Sequence, residues 1–170
     1  RGALQQKARD VGRASVLFEE YLERELQAGR AHLALAGGPG AVLLHAHCHQ
    51  RAMGLAPAAR ALLARIPGAA VTDLDAGCCG MAGSFGYTRD HYDVSRAIGE
   101  LKLFPAARAL AAGPTGGQGA SRAVLVAAGT SCRHQVAHFT GVEARHPTRL
   151  LGSLLTPHHR PADSVGGRGD

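Results

Sequence analysis

Lysine is nearly absent: Lys7 and Lys102 are the two in 170 residues, so the formal charge of +6 is carried by arginine. Those arginines are scattered, without clusters, and aromatic side chains make up only 4% of the chain. Nucleic-acid binders present basic stripes interleaved with stacking aromatics, so no nucleic-acid partner is expected. The arginines read instead as a solvated surface, with some facing a negatively charged site. No run of 18 or more uncharged apolar residues is present, which excludes a membrane-spanning helix from the sequence. The basic start at Arg1 lacks the apolar core and cleavage site of a signal peptide. Four cysteines are too few for a disulfide-stapled secreted scaffold, so metal ligation or redox chemistry in a reducing compartment, the cytoplasm, is the expectation.

Other signals are missing too. No pair of cysteines shows the CxxC knuckle of an ordinary zinc ribbon, no CxxCxxC run marks a ferredoxin-like centre, and no flavin-binding motif or internal repeat is present. The chain starts on Arg1, and its first residues carry no strand or cap that begins a fold. Residues 1–13 are therefore expected to be the cut edge of a longer polypeptide, residues 14–155 one cysteine-rich domain, and residues 156–170 a disordered tail.

What is present is a repeated arrangement of thiols and strands. Apolar runs at 41–46, 69–74 and 123–127 read as buried strands. Each run is followed at once by cysteine: Cys48 in His47-Cys-His-Gln, Cys78 and Cys79 in Gly77-Cys-Cys-Gly, and Cys132 in Thr130-Ser-Cys-Arg-His-Gln. Between them, helical periodicity is expected over Ser15–Gln27 (capped by Ser15), from Pro57 to Arg65, from Thr88 to Lys102, from Pro105 to Gly113, over Arg133–Phe139 and over Thr148–Leu155. His32–Leu35 reads as a short edge strand and residues 113–121 as a flexible loop. Strands alternating with helices predict an α/β fold: a parallel sheet of three or four strands in Rossmann-like layers, with the cysteines in loops at the carboxyl ends of the strands. Such loops share one sheet edge, so four thiols converge.

Adjacent cysteines point in different directions, which suits two separate irons of one cluster better than two corners of a tetrahedron around one ion. Gly77, Gly80, Gly83 and Gly86 would let the backbone approach a bound group and offer amide hydrogens to its sulfurs. Cys132 at a helix start gains from the dipole. Arg133, Arg51 and Arg89 are candidates to offset cluster charge. His45, His47 and His49 alternate, so an extended segment would place them on one face, and His134 follows Cys132 by two residues; for these, hydrogen bonding beside a bound group is favoured over direct ligation. The alternatives are a structural zinc-binding or degenerate redox domain, and a Cys-dependent hydrolase or disulfide reductase centred on Cys132.

Gly77-Cys-Cys-Gly-Met-Ala-Gly-Ser-Phe-Gly-Tyr87, followed by His91-Tyr-Asp-Val-Ser and Ile98-Gly-Glu, resembles the cysteine-rich CCG domain at the C-terminal end of FAD-linked oxidases of D-lactate, glycolate and D-2-hydroxyglutarate dehydrogenase type. His47-Cys-His-Gln, Leu103-Phe-Pro-Ala-Ala-Arg108 and Gly129-Thr-Ser-Cys-Arg-His-Gln135 extend the resemblance over roughly residues 14–155. The resemblance implies an iron–sulfur electron-transfer domain that accepts electrons from flavin, the FAD and ferredoxin-like domains lying upstream in the same polypeptide and a quinone or carrier protein acting as acceptor. It implies a place in the cytoplasm or at the cytoplasmic face of the membrane. The related CCG polypeptide of heterodisulfide reductase closes its pattern with a CxxC pair, where this chain has Cys132 and Gln135. That departure implies one four-iron site held by Cys48, Cys78, Cys79 and Cys132, flanked by Gly77, Gly80, Gly83, His47, Arg133 and His134, and no turnover of a hydroxy acid by this chain alone.

Overall fold

The computed structural model describes residues 2–113 and 123–156. Its centre is a three-stranded parallel sheet of order β2-β1-β3, made of β1 (Ala41–His45), β2 (Ala70–Asp73) and β3 (Val124–Ala127). Leu43 pairs with Thr72 on one side and with Leu125 on the other. The α/β class and parallel sheet are as expected, each strand being a residue or two shorter than its apolar run.

Eight α-helices are described: α1 (Gly2–Ala14), α2 (Phe18–Gln27), α3 (Cys48–Ala52), α4 (Ala56–Leu63), α5 (Tyr92–Glu100), α6 (Leu103–Ala112), α7 (Thr130–Thr140) and α8 (Pro147–Leu154). Two single-turn 3-10 helices, Phe85–Tyr87 and Arg89–His91, lead into α5. Alternation along the strands sends Val42, Leu44 and Val126 to one core with Leu62, Leu63 and Ile66 of the α4 region and Leu150 of α8. Leu125 and Ala127 face a second core with Leu103, Phe104, Ala107 and Val136 of α6 and α7, and Cys79 and Cys132 belong to it.

Several local expectations change. Residues Gly2–Ala14 form a helix with no buried residue, a helix not assigned from the sequence. Ser15 does not cap α2: its Oγ donates 2.8 Å back to the Val11 carbonyl of α1, and Leu17 is the residue before the helix. His32–Leu35 contributes a single antiparallel bridge, Leu35 to Leu155, in place of a strand. α7 begins at Thr130, which puts Cys132 inside the first turn. The expected loop at 114–121 and the expected tail beyond Thr156 lie outside the described residues.

Candidate metal centre

All three strands run the same way, so their carboxyl ends open on one edge of the sheet, and the order β2-β1-β3 makes the space between β1 and β3 the topological switch point where such sheets form a crevice. Cys48 opens α3 after β1, Cys78 and Cys79 follow β2, and Cys132 lies in the first turn of α7 after β3. All four thiols are free, with Cys79 and Cys132 buried and Cys48 and Cys78 partly exposed.

The thiols interact as two pairs. Cys132 donates to Cys79, and this bond, reinforced by the nearby His45 ring and the Met81 amide, pulls Cys79 down to about 4 against the opposing effect of burial. Cys132 is pushed up by the same bond, by burial and by the negative sulfurs around it. Burial, then Cys78 beside it, pushes Cys48 up. The Cys79–Cys132 pair therefore resists a second ionisation next to its neighbour's charge. Cys132 is 1% exposed, which does not suit the nucleophile of a hydrolase.

The loop carrying the paired cysteines is held from behind. Gly80 takes a φ of +95°, and a Cβ there would overlap the Ser95 carbonyl of α5. Its amide donates 3.3 Å to Cys78 Sγ. Ser95 is fully buried, and Gln135 of α7 donates 2.8 Å to its Oγ and 3.3 Å to the Cys79 carbonyl. The close backbone approach at Gly80 thus serves packing on α5. Gly77 and Gly83, at φ +65° and +71°, have open space where a Cβ would be, so they are needed for conformation alone.

Across the crevice, a Cβ on Gly129 would strike the His47 ring and come within 2.8 Å of Cys132 Sγ. His47 caps α3, its Nδ1 accepting from the His49 amide at 3.3 Å. Because the chain turns into α3 there, the three alternating histidines do not share one face. His45 is wholly buried at the end of β1, His47 is half-buried and held below its ordinary value chiefly by burial, and His49 is exposed. Both nitrogens of His45, and both amide atoms of Gln50, are buried without a partner. An unpaired buried polar group costs about 1–3 kcal/mol, so such groups mark a place where a further partner fits.

Of the flanking residues, Arg133 donates to the Ala127 and Ala128 carbonyls at 2.9 and 2.7 Å and so braces the end of β3. His134 is exposed, 3.5 Å from the Tyr87 hydroxyl. Arg51 pairs with Asp73 at 2.6 Å and Asp75 at 3.0 Å, tying α3 to the end of β2, while Arg89 is exposed. The clamp of Ser95 and Gln135 and the orphaned ring of His45 were not assigned from sequence. The signals were there: Ser95 closes the His91-Tyr-Asp-Val-Ser stretch, and Gln135 follows Cys132 by three residues, one helical turn on.

Among the described residues, no three His, Cys, Asp or Glu side chains lie close enough to be ligands of one metal ion. The donor set fits an iron–sulfur cluster on other grounds. Four thiols come from three loops, a side-chain-free position at Gly129 borders Cys132, and an unpartnered imidazole lies beside Cys79.

The chain is 32% identical over 139 residues to one of the polypeptides of the anaerobic glycerol-3-phosphate dehydrogenase of Escherichia coli K12, covering 82% of this chain and 32% of that protein. It is 34% identical over 110 residues to D-2-hydroxyglutarate dehydrogenase of the same strain, covering 64% of this chain and 10% of that protein. To D-2-hydroxyglutarate dehydrogenase of Pantoea ananatis AJ13355 it is 31% identical over 142 residues, 82% of this chain and 12% of that protein. The chain thus spans about a third of the first relative's length and about a tenth of the others'. No protein-family model matches the chain, and no solved structure does.

Proposed function

We propose, from its similarity to a polypeptide of the anaerobic glycerol-3-phosphate dehydrogenase and to D-2-hydroxyglutarate dehydrogenases, that the chain is a CCG-type domain of an FAD-linked oxidase, an electron-transfer domain whose four cysteines hold one four-iron cluster. The observation that carries the reading is the convergence of four free thiols from three strand ends on one sheet edge. Thiols brought from three separate loops suit a group larger than a single ion, whose ligands all lie about 2.3 Å from one point. Such a cluster, when bound, takes up and releases electrons one at a time.

The chain's own residues supply the rest. Cys48, Cys78, Cys79 and Cys132 are the ligands, and the Gly80 amide already directed at Cys78 Sγ stabilises negative charge on that sulfur. Gly77 and Gly83 let the loop turn, Gly129 lets the His47 ring and Cys132 Sγ pack against its backbone, and His47, Arg133 and His134 border the site. Electrons arrive from a flavin domain, with FAD and ferredoxin-like domains upstream in the same polypeptide, and leave to a quinone or carrier protein. The domain works in the cytoplasm or at the cytoplasmic face of the membrane. Among the described residues, no helix is long and apolar enough to cross a membrane.

Anaerobic purification, with iron, acid-labile sulfide and zinc quantified beside a low-temperature paramagnetic spectrum after reduction, tests the reading. About four irons per chain, lost in Cys78→Ser, is the expected result. Stoichiometric zinc, or no metal after reconstitution, would overturn it.

A further inference from the structure

His45 ends β1 with 0% of its surface exposed. Two-residue alternation puts it on the face of Leu43, toward the core that contains Cys79 and Cys132, while Val42, Leu44 and Ala46 face the other way. Its ring lies within reach of the Cys79 thiol, and neither Nδ1 nor Nε2 has any other partner. An imidazole always carries at least one N–H, and a leucine or phenylalanine would fill this space without burying an unpaired donor. Sulfur is the acceptor chemistry at hand.

We propose that His45 donates its ring N–H to the cluster the thiols hold, at Cys79 Sγ or at an inorganic sulfide next to it, and raises its reduction potential. A hydrogen bond to sulfur favours the more negative, reduced form, so the donor moves the potential upward. His45 is a positioning residue in this role: it moves no electron itself. The assignment rests on the cluster reading above.

The test compares the anaerobically purified protein with His45→Phe, which keeps a ring and loses the donor, and His45→Gln, which keeps an N–H. Iron, sulfide, thermal unfolding and a redox titration followed by paramagnetic resonance are measured on each. The expected result is unchanged iron in all three, a lower midpoint potential in His45→Phe, and a value nearer the parent in His45→Gln. Equal potentials with iron retained overturn this assignment alone, whereas a parent protein without iron overturns the proposed function along with it. If His45→Phe does not retain iron, 15N-histidine labelling decides: a histidine nitrogen coupling to the reduced cluster that is present in the parent and lost in His45→Gln supports the assignment, and identical spectra overturn it.

Discussion

Gly80 and Gly77 stand three residues apart in one loop and are required for different reasons. Both have positive φ, but a Cβ on Gly80 would also overlap the α5 backbone at Ser95, whereas one on Gly77 meets open space. Gly77→Ala is therefore expected to lose about 1 kcal/mol of unfolding free energy, the cost of the left-handed conformation. Gly80→Ala adds a backbone clash and is expected to lose about 3 kcal/mol and to loosen the loop that presents both cysteines. Urea unfolding of the two variants separates these costs, and equal losses would mean that Ser95 yields freely. Gln135 shows the same division between chemistry and support. Its position read as a missing ligand, whereas its amide, 3% exposed, bonds the Cys79 carbonyl and Ser95 and so holds the ligand loop in place.

At the scale of elements, α2 shows where periodicity stops being informative. The apolar spacing of Phe18, Tyr21, Leu22 and Leu26 identifies a helix, but not the face it buries. Phe18 and Tyr21 are 44% and 49% exposed, while Glu19 and Glu23 are buried. The reason is a partner distant in sequence: Arg65, just beyond α4, donates to both Glu23 oxygens at 2.6 and 2.9 Å. That bond holds the Glu23 carboxyl below its ordinary 4.5 despite the opposing effect of burial, with Gln27 adding to it. Between the lowered folded value and the unfolded one, the unfolded chain binds more protons, so stability rises with pH there. The contribution is full above about 4.5 and lost as pH falls through the folded value. Glu23→Gln is expected to lower unfolding free energy at neutral pH by about 1 kcal/mol, a small figure because the guanidinium is partly solvated. The gap between variant and parent should narrow as pH falls below 4.5, and parallel pH profiles in urea unfolding would count against this pair.

For the whole molecule, the thiols lie on three chain segments that Arg51 with Asp73 and Asp75, and Gln135 with the Cys79 carbonyl, tie to one another beyond the sheet. A group bound there stabilises the folded state by mass action, and its loss removes that stabilisation. If the thiols hold the proposed cluster, removing its iron anaerobically by chelation is expected to lower the thermal midpoint by about 10 °C. An unchanged midpoint would mean that the native fold does not hold the group through these loops.

The α/β class, the three strands, most helices and the four thiols were legible in the sequence, because each rests on local signals: an apolar run, a helical spacing, a proline, a glycine pair. The placement of the thiol-bearing loops on one edge of the sheet followed too, since parallel strands must end there. Tertiary structure alone decided the order β2-β1-β3, the pairing of Cys79 with Cys132, the burial of Glu23 against Arg65 and the unpaired ring of His45. Each of these depends on groups far apart in the chain, and only packing brings them within reach of one another.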